Sequence, residues 1–321
     1  ALVSWGQDGR GDGFKIVKAS MPEVSEDIDF ELSLTEYFNA CVDNGVAQPN
    51  LVASPLKGQY GSISSNGGYN MGIAFDGEYV YYGLNTSGNK QIVVYKATPD
   101  GTIVANSATF DVSNVDGDNA RLFIKDGTLY AIGRVWERTV GEGDEATKVT
   151  QGPVYSIRLE DFKQGCEFTE DDSLPFDESG APFSAAWNEA NQKFVVLNTG
   201  RWLYVVNEEG ESLASVHPEI SGFGTSSVTC DDNYIYVSYC INGQKSIPVR
   251  VYDWSLNLVY EMTVKGEGGA DIGLGPGVGT SYNAQCICVV DGVIYVSLSK
   301  WSGSENMAVW VIKPDMSVFG N

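Results

Sequence analysis

The sequence is poor in the residues on which many catalytic and nucleic-acid-binding sites depend. Its 321 residues include one histidine, His217, and 20 lysines and arginines against 42 aspartates and glutamates, a formal net charge of −22. Direct binding to nucleic acid or to an anionic membrane needs a cationic surface, so we expect neither partner. A site built from several histidines is excluded. A catalytic triad around His217 is disfavoured, because this residue precedes Pro218 in an expected turn.

Long apolar runs and metal-type cysteine motifs are also missing. No segment approaches 18 consecutive apolar residues, so we expect no transmembrane helix. The six cysteines follow neither a zinc pattern nor the spacing of a small disulfide scaffold, and Cys286 and Cys288 lie two apart on one expected strand. We therefore expect mainly buried thiols. The start at Ala1 fits the removal of a secretory signal and the removal of an initiator methionine equally well.

A repeated strand pattern is the main positive feature of the sequence. Each repeat reads as an apolar strand, a tight turn with Asp or Asn, and a second apolar strand. The repeats are YNMGIAFDGEYVYYG, NARLFIKDGTLYAIG, FSAAWNEANQKFVVLN, SSVTCDDNYIYVSYC and YNAQCICVVDGVIYVSL, starting at Tyr69, Asn119, Phe183, Ser226 and Tyr282. Turns of the Asp-Gly type supply the positive φ angles that two-residue hairpins require. A third strand follows in each repeat, and a fourth, more polar strand follows in most of them.

Four antiparallel strands that recur about every 40 to 65 residues indicate the blades of a β-propeller. A β-sandwich gives no reason for a four-strand repeat, and a solenoid needs a shorter period. The sequence therefore predicts an all-β fold, a β-propeller of five four-stranded blades over residues 61–321. Residues 1–60 are predicted to form an N-terminal extension that closes the ring or serves as an attachment arm.

Three further predictions concern the segments outside the repeats. The last repeat leaves little chain for a fourth strand, so we expect a strand from Phe14–Lys18 or Leu51–Ala53 to complete that blade. A short helix is predicted within residues 22–46. Residues 137–152, which are polar, and residues 266–280, which are rich in glycine, are predicted to be loops.

Polar residues occupy similar positions near the start of each repeat. In a propeller the first strand of each blade lines the central channel, so these positions are expected to form a ring at one mouth. The ring consists of Asn70, Asn119, Ser184, Ser226 and Asn283, with Tyr69 and Tyr282 beside it. Amide, hydroxyl and tyrosine side chains suit sugar recognition, so the sequence predicts a small-ligand site here. A water-filled channel lined by polar residues is the alternative.

A second candidate site lies in the acidic stretch DVSNVDGDN, which contains Asp111, Asp116 and Asp118. Closely spaced carboxylates around a glycine can bind a hard cation, so Ca²⁺ is the one cofactor that the sequence suggests. The spacing departs from that of an EF-hand loop. An acidic turn between blades is the alternative interpretation.

The inner strand, its Asp-Gly or Asp-Asn turn and the following strand also resemble known propellers. The pattern in this chain is IAFDGEYVYYG, VTCDDNYIYVSYC and CICVVDGVIYVSLSK, with NGQKSIPVRVYDWSLNLV completing a blade. Over roughly residues 65–321 it resembles the propellers of teichoic-acid-associated proteins and of tailed-phage receptor-binding proteins. In the phage family this module is a five-bladed platform on a trimeric fibre and contacts cell-wall glycans. This chain departs from that family in lacking a fibrous shaft.

The resemblance implies a non-enzymatic binding or structural protein at the virion surface or elsewhere outside the cell. Its expected partners are host-surface glycans and other virion or surface proteins, and a homo-oligomer is compatible with the fibre family. Two alternatives stay open, namely a secreted or surface glycan-binding protein of a bacterium and a propeller glycoside hydrolase or lyase. Glycosidases use paired carboxylates. Because the acidic residues here fall mostly in hairpin turns, where Asp is a structural choice, no enzymatic activity is predicted.

Overall fold

The structure is a computed structural model that describes most of the chain from residue 32 onward. The described residues are 32–56, 70–86, 91–111, 120–133, 138–140, 147–149, 154–176, 179, 182–198, 200–218, 226–239, 245–273, 283–290, 292–299 and 308–319. They contain one α-helix, α1 (Leu34–Asp43), and 23 strands, of which β1 (Leu51–Pro55) precedes the first blade.

The remaining strands form five antiparallel blades. Blade 1 contains β2 (Asn70–Phe75), β3 (Val80–Thr86), β4 (Gln91–Ala97), β5 (Ile103–Asn106) and β6 (Phe110–Asp111). Blade 2 contains β7 (Ala120–Lys125) and β8 (Thr128–Gly133), a separate hairpin of β9 (Arg138–Val140) and β10 (Thr147–Val149), then β11 (Val154–Arg158) and β12 (Thr169–Glu170). Blade 3 contains β13 (Pro182–Asn188), β14 (Lys193–Asn198), β15 (Leu203–Asn207) and β16 (Ser212–Val216).

Blades 4 and 5 are joined in one sheet. Blade 4 contains β17 (Ser226–Cys230), β18 (Tyr234–Tyr239), β19 (Ile247–Asp253) and β20 (Leu258–Gly266). Blade 5 contains β21 (Asn283–Val290), β22 (Val293–Ser299) and β23 (Ala308–Pro314). Short 3-10 turns occur at Leu159–Asp161, Glu267–Gly269 and Met316–Phe319.

The first strands of the five blades contact one another in a closed ring, in the order β2, β7, β13, β17, β21 and back to β2. Each blade packs its two faces against its two neighbours, because successive strand residues point to opposite faces. In β8, Leu129 and Ala131 lie in the core shared with blade 1. Tyr130 and Ile132 lie in the core shared with blade 3. The predicted five-bladed propeller is therefore confirmed, and its inner strands begin where the repeat placed them.

Strand β1 provides the fourth strand of blade 5. Val52 lies opposite Lys313 on β23 in an antiparallel pairing and opposite Lys265 on β20 in a parallel pairing. This second pairing joins blades 4 and 5 into an eight-stranded sheet. Of the two segments considered for closing the ring, Leu51–Ala53 lies in this strand, and Phe14–Lys18 lies outside the described residues.

Helix α1 begins with a capping box. The Glu36 N–H donates to the Ser33 Oγ, and the Ser33 N–H donates to the Glu36 carboxylate, so two of the otherwise unpaired helix-end groups are satisfied. The buried face of the helix packs on the core of blades 4 and 5. That face consists of Leu34, Tyr37, Phe38 and Cys41. The helix lies within the predicted range 22–46, while the predicted domain boundary at residue 60 falls outside the described residues and stays a prediction.

The two segments that were predicted to be loops, residues 137–152 and 266–280, contain short regular elements. Residues 137–152 were expected to lack strands, but β9 pairs with β10 in a short antiparallel hairpin. Each arm carries threonine and valine, which favour extended backbone. Of residues 266–280, the described part ends β20 and forms the 3-10 turn Glu267–Gly269.

The five described cysteines are free thiols, and four of them are buried, as expected. No helix among the described residues is long and apolar enough to cross a membrane.

Candidate functional site

The ring has two ends that differ in chemistry. We call the end at which the inner strands begin the entry face. The opposite end, where the inner strands run into hairpin turns such as 76–79 and 231–233, is the turn face. Asn70, Ser226 and Asn283 are the first residues of β2, β17 and β21, so their backbones lie at the entry face. Their roles as ligand contacts stay predictions. Three other members of the predicted site, Tyr69, Asn119 and Tyr282, lie outside the described residues.

Ser184 does not occupy the position that the sequence alignment gave it. The pairing register shifts after the first residue of β13 and after the first residue of β2. Beyond this shift, Ser184 pairs with Leu197 in blade 3, just as Gly72 pairs with Gly83 in blade 1. The blade 3 position that corresponds to Asn70 is therefore Pro182. Ser184 is buried, with 1% of its surface exposed, and does not present its hydroxyl at an open mouth.

The Ser184 hydroxyl instead links two blades. It accepts a hydrogen bond from the Val228 N–H of β17 at 3.2 Å and lies 3.4 Å from the Ser227 Oγ. At the next junction, the Ser227 Oγ accepts from the Ile287 N–H of β21 at 3.1 Å. An inner strand has one edge without a ladder partner, so its N–H groups need other acceptors when buried. The serines supply these acceptors from the preceding blade.

The same wall contains a thiol, a second hydroxyl and a cation. The Thr229 Oγ1 accepts from the Val289 N–H at 2.9 Å, and Ser227 donates to the Cys286 Sγ at 3.3 Å. Arg121 is buried on β7 with its guanidinium 5.1 Å from the ring centroid of Phe183. These polar groups of the inner strands are thus buried in contacts between neighbouring blades.

Carboxylates on the turn face bind their own turns. One oxygen of Asp76 accepts from two backbone N–H groups of the hairpin that follows it, and the other accepts from the Tyr81 hydroxyl at 2.8 Å. Asp231 repeats the arrangement in blade 4, with the Tyr236 hydroxyl at 2.6 Å. These aspartates define their hairpins, so the acidic residues at these two turns have a structural role.

Hydrogen bonds also hold several carboxyl groups in their ionised form. The pKa of Asp100 is lowered by the hydrogen bond from Thr98 and by bonds from Thr102. Burial acts to raise the pKa of Asp253, but hydrogen bonds from Asn257 outweigh it and the pKa is lowered. Every described carboxyl group whose pKa is shifted is shifted downward. These groups are hydrogen-bond acceptors at neutral pH.

The predicted calcium site falls largely outside the described residues. Asp111 is the second residue of β6, where its backbone pairs with Gln91, whereas Asp116 and Asp118 are not described. Within the described part of the chain, no three His, Cys, Asp or Glu side chains are placed to hold a metal ion. Calcium binding stays a prediction.

A cavity of about 530 Å³ lies on the outer strands of blade 2. Its lining includes Thr128, Tyr130, Ser156, Arg158, Lys163 and Asp171. The volume is that of a small-molecule site. Two of its charged groups already have partners, since Arg158 donates to the Asp126 carbonyl and the Asp171 carboxylate accepts from the Ser173 N–H. It lies away from both mouths of the channel, because β11 and β12 are the outer strands of the blade.

An exposed aromatic cluster on blade 3 was missed by sequence reasoning. Trp202 precedes β15 and His217 follows β16, so the two meet across the strand pair at the entry face, with ring centroids 5.2 Å apart. The Tyr204 ring lies 6.4 Å from that of Trp202. His217 was considered only as a catalytic residue, and Trp202 was not considered. The sequence feature that could have indicated an exposed tryptophan was Gly-Arg-Trp at residues 200–202, in the turn between two apolar strands.

Three features together define a five-bladed β-propeller. They are the closed ring of inner strands, the antiparallel blades, and the N-terminal strand β1 that completes blade 5. No protein-family model and no curated protein matches the chain. The fold is similar to that of the tail fibre of Staphylococcus aureus phage P68, at 11% identity and a TM-score of 0.57 over 84% of this chain. The chain spans about half, 54%, of that fibre.

A second solved structure with this fold is CoXyl43, a GH43 β-xylosidase/α-arabinofuranosidase from a compost microbial metagenome. It is 11% identical, with a TM-score of 0.50 over 82% of this chain and 95% of that enzyme. At these identities the comparisons establish the fold and leave the function to the site.

Proposed function

We propose that this propeller is a non-enzymatic binding module of a phage virion, displayed outside the cell, which contacts glycans on the host surface. The observation that carries the proposal is the similarity to a phage tail fibre over 84% of the chain. The inner-strand hydroxyls of Ser184, Ser227 and Thr229 are occupied in links between blades. Recognition is therefore assigned to the entry face, where the turn at residues 200–202 presents the exposed Trp202.

A glycoside hydrolase is the second candidate, because CoXyl43 shares the fold over most of its length. Glycoside hydrolysis needs a carboxylic acid whose pKa is raised so that it can protonate the leaving group. The described carboxyl groups with shifted pKa values are all shifted in the opposite direction, by hydrogen bonds that favour the ionised form. None of these shifted carboxyl groups therefore has the raised pKa of a general acid, and a turnover measurement distinguishes the two candidates.

The test measures binding and turnover on the same material. Purified protein is incubated with cell walls of Staphylococcus aureus and, separately, with xylotriose. Bound protein is measured by co-sedimentation, and released reducing ends are measured in the supernatant. We expect saturable binding to the walls and no release of reducing ends from either material. Release that increases with time and enzyme concentration would make the protein a hydrolase, and absence of binding would overturn the receptor-contact role.

A further inference from the structure

Four hairpin turns of the ring share one backbone design. In each, the N–H of the first residue donates to the carbonyl of the fifth, and the carbonyl of the first accepts from the N–H of the fourth, which leaves a three-residue loop. These turns span residues 98–102, 198–202, 207–211 and 253–257. The fourth residue takes a positive φ angle, where glycine is the residue of lowest steric cost. The residues found there are Gly101, Arg201, Gly210 and Leu256.

Two of these turns therefore carry a side chain where glycine is favoured. For Leu256 the reason is packing, because its side chain is buried in the core between blades 3 and 4. Arg201 is exposed, so core packing does not explain it. The turn does contain a glycine, but Gly200 lies one position too early to relieve the backbone. Arg201 therefore keeps an unfavourable backbone angle directly before the exposed Trp202.

The turn that carries Arg201 is held rigidly. The Asn198 Oδ1 accepts from the Trp202 N–H at 2.9 Å, and the Asn198 Nδ2 donates to the Ser179 carbonyl at 2.8 Å. These bonds fix the backbone of Trp202 to the connection that leads into blade 3. The indole is nevertheless 42% exposed and is flanked by the exposed His217.

From this geometry we infer that Arg201, Trp202, Tyr204 and His217 form a carbohydrate platform on the entry face of blade 3. A pyranose residue of a surface polysaccharide stacks its C–H face on the exposed indole of Trp202. His217, whose ring contacts the indole, and Arg201, which precedes Trp202 in the turn, bind sugar hydroxyl groups. An aromatic surface with polar groups at its edge satisfies both the apolar face and the hydroxyl rim of a sugar. The inference rests on the proposed glycan-binding function and names the residues that perform it.

The test compares variants of the full chain. The probe is polysaccharide extracted from Staphylococcus aureus cell walls, with glucose and N-acetylglucosamine as small probes, and affinity is measured by calorimetry. We expect Trp202→Ala to weaken binding about tenfold and Trp202→Phe, which keeps a ring, to weaken it about threefold. Leu258→Ala is the matched control, because it removes an exposed apolar side chain from blade 4. It should change affinity by less than about twofold.

Arg201→Gly provides a second, independent variant. It restores the favoured residue at the positive φ angle and removes the side chain from the platform, so the affinity should fall while the chain still melts in one cooperative transition. An equal affinity would remove Arg201 from the site. A simple structural role for Arg201 predicts the opposite, a lower melting temperature with unchanged binding.

The outcomes separate this inference from the proposed function. Binding by the wild type that Trp202→Ala leaves unchanged overturns the platform and keeps the receptor role. No binding of any probe by the wild type overturns both. Binding that depends on Trp202 together with release of reducing ends keeps the platform and overturns the non-enzymatic role.

Discussion

The junction between blades 4 and 5 and the junction between blades 2 and 3 hold neighbouring blades in different ways. Blades 4 and 5 are joined by backbone, because β1 pairs with both β20 and β23, and α1 packs over their shared core. Blades 2 and 3 meet through side chains. Phe123 packs edge-on against Phe194, and the Lys125 ammonium lies 3.0 Å from Glu208 and 4.3 Å from the Trp187 ring.

The N-terminal segment thus closes the ring, because β1 lies between the outer strands of blades 4 and 5. Consecutive blades are covalently linked, so their association has a low entropic cost. The final blade must be connected to the first by noncovalent pairing, and β1 provides it because the chain continues from β1 into blade 1. The comparison predicts that changes to this segment have larger effects than changes to interblade side chains.

Removal of the N-terminal segment should have the largest effect. Deleting residues 1–56 leaves the facing edges of β20 and β23 without a partner and exposes the core that α1 covers. We expect loss of a single cooperative thermal transition, measured by calorimetry and circular dichroism. Deleting residues 1–31 retains α1 and β1 and is the matched control. Identical melting of the two truncations would mean that backbone pairing contributes little to closure.

A substitution at the helix contact should have the next largest effect. A Cβ on Gly292 would lie 2.5 Å from the Ser33 Cα, whereas a Cβ on Gly77, in the corresponding turn of blade 1, meets nothing within 4 Å. Both glycines have positive φ, so Gly77→Ala should cost about 1–2 kcal/mol in backbone energy. Gly292→Ala should cost about 1–3 kcal/mol more, because the helix must shift. Urea denaturation measures both, and equal losses would show that α1 adapts without cost.

Loss of an interblade hydroxyl should have a smaller effect. Ser184→Ala removes the acceptor for the buried Val228 N–H, which should lower the free energy of unfolding by about 1–3 kcal/mol. Ser215→Ala, at an exposed position on β16, should change it by less than about 0.5 kcal/mol. Equal values for the two variants in urea denaturation would argue that water or another group satisfies the freed N–H.

Of these four changes, lowering the pH should have the smallest effect on the pairing of β1 with blade 5. Burial acts to raise the pKa of Asp315, but hydrogen bonds from Ser317 and Asn50 outweigh it and lower the pKa. The ionised group therefore stabilises the fold above its unfolded pKa of about 3.9, and this contribution is lost as pH falls through the lower folded value. After solvent screening we expect about 0.5 kcal/mol or less.

The measurement is the urea midpoint at neutral pH and at pH values below the unfolded pKa. Asp315→Asn should lower stability at neutral pH and reduce the acid sensitivity, while Asp43→Asn, at an exposed position, serves as the control. If both variants keep the acid sensitivity of the wild type, the Asp315 carboxylate does not contribute to closure.

The blades were predictable because local chemistry marks each of them. Asp76 and Asp231 form their hairpins through hydrogen bonds within the turn, so the signal lies within a few residues. The parallel pairing of β1 with β20 was not predictable. This pairing depends on how the folded ring places β1 beside β20. Neither strand has a local sequence pattern that predicts the contact.

The candidate site was harder to predict because it depends on register. Ser184 was aligned with strand starts, but the shift between Pro182 and Ser184 turns its hydroxyl towards the next blade. A one-residue irregularity is enough to exchange the two faces of a strand. Trp202 and His217 are brought together by the β15–β16 pairing, which sequence spacing alone does not reveal.

The closing strand also has a consequence for the timing of synthesis. Asn50 and its partner Asp315 are 265 positions apart, so β1 leaves the ribosome long before the blade that it completes. At about 5–20 residues per second, the wait is on the order of ten seconds to a minute. During that interval the strand edge and the apolar face of the nascent helix have no final partner. A second copy whose β20 and β23 edges are still open would pair with this strand, and the two copies would then exchange their N-terminal segments.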